Sequence, residues 1–393
     1  MHVPDRKAVG RSTIAGIVIV LIIIAGVGVY YAATSSSGGT TTTTTTTTAP
    51  PASTTTTTSS AAPRQFKVAL VGASVSSNYF AEFFQNSAHS AAVALSNSSL
   101  QIVVSQAYSV SASQVVSVCK TYASEGYNLI ELYVDYAGSY GQIAQAVPNV
   151  MFVDEFNAPN GFNSSTYNYA NPDANVYTYN YTNMVGWDTN IYGAYYVAGV
   201  AAALASKTSA VGFEGAFNIP AIAAWYNDYA TGAHSVNPNM KVFYTFTNDW
   251  TDTTKGASAA DSLISEGAGV VATAGDTQSI GAAKEAVAKG AYGIGYPTNL
   301  NNLSASYMLG STYFNATRLW MDILTDALTS KLAGHYYSVD FSHGGNSFVL
   351  NPALVTAGTI TSSMQTKITQ AEQSLRDYSV TLPIVGTFPP EPS

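Results

Sequence analysis

Between Phe66 and Gly295 short continuous apolar runs alternate with segments of helical spacing, in two successive blocks. Phe66–Gly72 (FKVALVG), Leu100–Val104, Asn128–Val134 and Asn149–Asp154 read as strands, with helices over Tyr79–Leu95 and Ala112–Ser124. Strands apolar along their whole length are buried on both faces, which calls for a parallel sheet covered by helices. Asn157–Asn183, rich in Asn, Tyr, Pro and Gly, reads as a loop or lobe crossing. The alternation resumes with helices Tyr192–Ser206, Pro220–His234, Thr251–Glu266 and Ile280–Lys289. Between them lie strands Ala210–Glu214, Met240–Thr245, Gly269–Ala272 and Gly290–Gly295. Helix Arg318–Lys331, the Val339–Val349 region and helix Thr366–Asp377 follow. Two such blocks predict an α/β chain of two doubly wound parallel-sheet lobes with a ligand cleft between them. The expected limits are 65–180 for the first lobe, completed by 298–335, and 181–297 for the second, completed by 336–380. Hinges are expected near Asn157–Asn183 and Tyr296–Asn302, and 381–393 is a tail.

What precedes these lobes bears on location. Ile14–Tyr31 is unbroken by charge and close to the minimum for spanning a ~30 Å hydrocarbon core as a helix. Arg6, Lys7 and Arg11 precede it and no charge follows until Arg64, so the N-terminus is expected inside and the lobes outside. The alternative is a cleaved signal peptide, with Tyr31-Ala32-Ala33-Thr34 as cleavage site. Residues 35–64 favour a retained single-pass anchor, because Thr40–Thr48, Thr54–Thr58 and the interspersed prolines cannot bury a core and read as a stalk. A tethered binder suits a cell with one membrane, and an archaeal source is the expectation.

Only 10% of residues are charged, against a usual ~25%, and Tyr, Asn, Ser and Thr stand in for them. Such a surface depends little on pH and suits an acidic exterior. The net charge of −8 argues against a nucleic-acid partner. Cys119 is the one cysteine and reads as a buried small hydrophobe. Asn97, Asn163, Asn180, Asn302 and Asn315 open N-x-Ser/Thr triplets. His2, His89, His234, His335 and His343 lack metal-ligand spacing, and neither a nucleophile elbow nor a phosphate loop is present. No enzyme, metal or cofactor is expected.

In open α/β sheets ligands bind beyond the carboxyl ends of the strands. Trp250 follows a strand in Phe246-Thr247-Asn248-Asp249-Trp250-Thr251-Asp252 and offers a flat ring for stacking, or a rim aromatic. Asp252 and Asp276 with Thr277 stand where a helix cap or an acceptor for ligand hydroxyls belongs. In the first lobe Ser74–Ala88 follows strand one, and of Phe80, Phe83 and Phe84, beside Asn86, at least one packs inward while another faces the cleft. Asp154–Glu155 is an acidic pair ending a strand, with a solvated, hinge or catalytic role open.

Gly193–Ala203 (GAYYVAGVAAA), Ala210–Ala216 (AVGFEGA), Ala230–Val242 (ATGAHSVNPNMKV), Thr247–Gly256 (TNDWTDTTKG) and Glu266–Tyr296 run in one order over the second lobe. With Phe84-Gln85-Asn86-Ser87-Ala88 in the first, the chain resembles the basic membrane protein group of substrate-binding proteins, which includes PnrA-type nucleoside binders. The resemblance implies a type I periplasmic-binding fold and capture of a small solute, often a purine nucleoside, for an ABC permease in the same membrane. It implies that Phe84 and Trp250 clamp a base and that Asp252, Asp276 and Asn227 hold a ribose. Asn86, Thr277, Trp187, Phe80 and Ser74 complete the candidate ligand set. Serines stand over Ser74–Asn78 where the group carries acidic residues, and Gly295-Tyr296-Pro297-Thr298-Asn299 replaces an aspartate-ended motif. A nucleoside, another purine compound and a sugar-like polyol are therefore all open. The protein is expected to work as a monomer.

Overall fold

The strands that read as continuous apolar runs differ in burial: Val68, Ala69, Leu70 and Val71 of the first and all of Val270–Ala274 are buried, whereas Leu100–Ala107 is mostly half-buried. The structure is a computed structural model, and it describes residues 62–73, 79–155, 160, 176–382 and 385–389. The apolar run at Ile14–Tyr31, nearly all of the threonine-rich stalk and Ser74 lie outside the described residues. Among the described residues no helix is long and apolar enough to cross a membrane.

One six-stranded sheet has the order β11-β5-β4-β3-β1-β2. Its strands are β1 (Arg64–Val71), β2 (Leu100–Ala107), β3 (Leu129–Leu132), β4 (Met151–Glu155), β5 (Met184–Asp188) and β11 (Tyr336–Ser338). All of its pairings are parallel. The second sheet has the order β12-β10-β9-β8-β6-β7. It contains β6 (Ala210–Gly215), β7 (Lys241–Phe246), β8 (Val270–Ala274), β9 (Tyr292–Gly295), β10 (Met308–Phe314) and β12 (Asn346–Leu350). There β12 alone runs antiparallel, against β10.

The described helices between these strands are α1 (Tyr79–Leu95), α2 (Val115–Ser124), α3 (Tyr140–Ala146), α4 (Tyr192–Ala205), α5 (Pro220–Val236), α6 (Thr253–Ser265), α7 (Thr277–Ala288), α8 (Ala316–Leu328), α9 (Pro352–Thr356) and α10 (Ser362–Arg376). The Ala- and Gly-rich α4 is buried over nearly its whole length, packed between α5, α10 and the second sheet. Small side chains let helix backbones approach closely there, and dispersion contacts accumulate.

The topology corrects the lobe limits. Met184–Asp188 pairs with β4, so the first lobe runs on to Asp188, and Asn157–Asn183 returns the chain to the sheet it left. Most of that segment lies outside the described residues, but because the strands on either side of it pair in one sheet, the chain does not change lobes between them, contrary to the expectation. Tyr296–Asn302 joins β9 to β10 within the second sheet, so it too is no hinge. The crossings lie between β5 and α4, between β10 and α8, and between β11 and β12. Helix α8 packs on α1 in the first lobe, and α10 packs on α4 in the second.

Rings cluster at these crossings. Phe84 stacks on Phe80 (centroids 5.8 Å apart, planes 10° apart) and on Trp187 (4.8 Å, 12°). Trp187 in turn lies parallel to Phe314 (6.1 Å, 3°). Offset stacks of this kind add ~0.5–1.5 kcal/mol per pair beyond area burial.

Candidate functional site

The carboxyl ends of both sheets face each other across the lobe boundary, and the residues just past each strand build the candidate site. From the first lobe come Tyr133 after β3, Glu155 ending β4 and Asp188 ending β5. From the second come Trp250 after β7, Asp276 after β8, and Tyr296 and Thr298 after β9. Gly72 permits the packing: a Cβ there would lie 2.1 Å from the Tyr133 ring, so a larger residue would push Tyr133 aside.

Two hydrogen bonds span the lobes at the N-terminus of α1. The Phe80 backbone N–H donates to Asp276 Oδ1 at 2.9 Å, and the Tyr79 N–H donates to Thr277 Oγ1 at 3.2 Å. The Tyr79 hydroxyl also bonds the Thr298 hydroxyl. The first turn of a helix leaves backbone N–H groups without intrahelical partners, so Asp276 and Thr277 cap a helix that belongs to the opposite lobe. Beside this latch an open cavity of about 300 Å³ is lined by Tyr79, Phe83, Asn86 and Thr298 among others.

The electrostatics are one-sided. Burial, first, and then the charges of Glu131, Glu155 and Asp276 push the Tyr133 hydroxyl well above its usual range. Tyr296 is pushed up by burial, and Glu155, Asp276 and Asp188 add to the shift. The Tyr133 hydroxyl is buried and finds no hydrogen-bond partner among the described residues. Burial raises Asp188 as well, against the Asn190 N–H and the Tyr192 hydroxyl, which donate to its two oxygens. One level deeper, burial carries Glu214 up to about 8 against a hydrogen bond from Gln278.

The residues expected in the site separate on this geometry. Asp276, Thr277, Phe80 and Asn86 come together at the latch and its cavity. Trp250 is half-buried on the second-lobe rim, its ring 5.1 Å from Phe217. Phe84 and Trp187 are fully buried in the crossing stack, because α8 closes over that face of α1. Phe83, one position earlier, is the ring on the cavity wall. Asp252 is a helix cap: its Oδ1 accepts from Thr254 N and Lys255 N at 2.8 and 3.2 Å. Its neighbour Asp249 accepts from the Thr251 N–H and pairs with Lys255, both at 2.9 Å, and these bonds, the Thr251 one first, hold its carboxyl well below the usual range. The Asn227 amide donates to Val385 O, Thr387 O and Ala223 O, so it fastens the C-terminal segment. Ser74 lies outside the described residues. Tyr133, Tyr79 and Tyr296 were not singled out as site residues; their signal is position, each lying where a strand ends or the next helix begins.

Two sheets facing across a cleft, with three crossings, define the two-lobed fold of type I solute-binding proteins. A solute-binding protein from Aeropyrum pernix has that fold with a TM-score of 0.59 at 17% identity, over 80% of this chain and 87% of that one. A transcriptional activator of the comK gene from Bacillus halodurans does so with 0.61 at 20% identity, over 80% of this chain and 99% of that one. The family model described as ABC transporter substrate-binding protein, PnrA-like, matches residues 81–372, and the chain belongs to that family. A purine-binding protein of Brucella abortus is 36% identical over 23% of this chain and 25% of its own length. A nucleoside-binding protein, BmpA, of Lactococcus lactis is 37% identical over 19% of this chain and 22% of its own. A Haloferax volcanii protein, named provisionally as an ABC transporter glucose-binding protein, is 30% identical over 35% of each. The chain thus spans well under two thirds of these relatives.

Proposed function

We propose that this protein captures a small uncharged solute, a nucleoside or related purine compound, between its lobes outside the cell and delivers it to an ABC permease. The observation that carries the reading is the Tyr133 hydroxyl, buried and without a protein partner between carboxylates of the two lobes. Such a group costs ~1–3 kcal/mol unless something bonds it, and a solute hydroxyl or amine would. Glu155 and Asp276 supply acceptors for further solute donors, and Trp250 and Phe83 supply a ring from each lobe. The carboxyl groups of Glu155 and Asp276, which act on both tyrosines, would disfavour a phosphorylated ligand. The names of the Brucella and Lactococcus relatives support purines and nucleosides. The Haloferax name supports a sugar as the second reading, and acidic acceptors suit either. Ile14–Tyr31 serves in this reading as the membrane anchor and the threonine-rich stretch as the tether that lets the lobes reach a permease.

The test is mass spectrometry of small molecules released from the purified protein, followed by a melting-temperature screen of nucleosides, nucleotides and sugars. A ligand at a hundred times its Kd adds ~2.7 kcal/mol of stability. Nucleosides are expected to raise the melting temperature and nucleotides to leave it unchanged. Stabilisation by sugars alone moves the assignment to the second reading, and stabilisation by neither class overturns both.

A further inference from the structure

The first lobe carries a second concavity that shares no lining residue with the latch cavity. Its volume is about 490 Å³, within the ~300–1,000 Å³ range of small-molecule sites. Tyr140 and Tyr181 supply aromatic surface, and Gln142, Gln145, Asn160 and Asn180 supply amides that both donate and accept. No charged side chain lines it among the described residues.

The wall is pre-set. The Tyr140 hydroxyl donates to the buried Asp154 Oδ1 at 2.5 Å, which fixes the ring. Burial pushes the Asp154 carboxyl well above its usual range. At the start of α3, a Cβ on Gly141 would lie 2.3 Å from the Tyr181 hydroxyl, so glycine lets Tyr181 lie close over the helix. Rigid rings with uncharged amides match a neutral pyranose, which presents apolar C–H faces and a rim of hydroxyls.

One wall residue has a further property. Asn180-Tyr181-Thr182 is an N-x-Thr triplet, and Asn180 and Thr182 are both exposed. Asn180 Oδ1 accepts from Asn160 Nδ2 at 3.2 Å, a contact that leaves its amide nitrogen pointing elsewhere than into that bond. We propose that this cavity seats a neutral saccharide ring, and that a glycan carried by Asn180 itself is one source of it. In that modification the Asn180 amide nitrogen loses a proton and bonds to the anomeric carbon of a lipid-linked oligosaccharide. The lipid phosphate or pyrophosphate leaves with the electrons of the broken C–O bond. The other source is free sugar from outside.

Peptide mapping of the full chain from its own cells distinguishes the two. If Asn180 carries a glycan, glycosidase should release it at least tenfold more slowly from the folded than from the unfolded protein. Gln145→Ala, at an exposed position, should abolish that protection, and Thr182→Ala should leave Asn180 bare. If Asn180 is bare, glucose and N-acetylglucosamine titrated against the protein should show saturable binding by ligand-observed NMR. Gln145→Ala and Gln142→Ala should each weaken it at least tenfold at unchanged melting temperature. Equal glycosidase release from both states, or a bare Asn180 with no sugar binding, overturns the proposal. Neither result touches solute capture in the cleft.

Discussion

In the proposed reading, the Tyr133 hydroxyl, buried and without a partner among the described residues, is a group that a bound solute would satisfy. Tyr133→Phe should leave the free protein as stable or more stable, by up to ~1–3 kcal/mol, while solute affinity falls at least tenfold. Denaturant titration and calorimetry would check the pair, and unchanged affinity would remove Tyr133 from the site. Trp250→Ala should weaken a planar solute by ~1–3 kcal/mol with little effect on folding, since its ring is only half-buried. Equal affinity of both proteins for every ligand tested would show that Trp250 is a rim aromatic. How far such residues were legible depended on range. The position of Asp276 and Thr277 at the lobe boundary was legible because a polar turn after a strand is a local pattern. The family resemblance points to Phe84 as the clamping ring, while the adjoining turns of Phe80, Phe83 and Phe84 leave open which one is covered; that is decided by α8, far along the chain.

At the scale of elements, the α–β alternation was readable because buried parallel strands are written as unbroken apolar runs, such as VVATA in β8. The crossings were not, because MVGWD of β5 fits either sheet, and only its pairing with β4 assigns it. The latch on α1 gives an element-level prediction. Thr277→Val combined with Tyr79→Phe should loosen the lobes, seen as a larger radius of gyration by small-angle scattering of the unliganded protein. An unchanged radius would mean that the crossings and the remaining Phe80–Asp276 bond hold the lobes without these two contacts. The C-terminal segment is a second case. Phe388 meets Tyr226, Tyr244 and Phe246 with centroids 5.1, 4.7 and 4.8 Å away, along edge strand β7. Phe388→Ala should cost roughly 1–2 kcal/mol for its partial burial, read from the denaturation midpoint.

For the whole molecule, burial moves several carboxyls the same way. Asp154, Asp188, Glu214 and Asp228 are all raised. For Glu214 the folded value of about 8 lies above an unfolded value near ~4.3. Across that window the folded chain holds a proton the unfolded chain has lost, so stability falls as pH rises, by ~1.4 kcal/mol per unit from this group. Above about 8 its contribution is flat. The urea midpoint should therefore be higher at pH 5 than at pH 8, and Glu214→Gln should flatten the slope. A midpoint that rises with pH would contradict the protonated interior and the acid-tolerant surface read from composition. The helix capped across the lobe boundary has one more consequence. Separation of the lobes strips the Tyr79 and Phe80 amides of their acceptors, so their hydrogen-exchange rates count the fraction of time the molecule spends open. Two amides thus serve as a built-in gauge of closure, readable without labelling the protein or knowing its cargo.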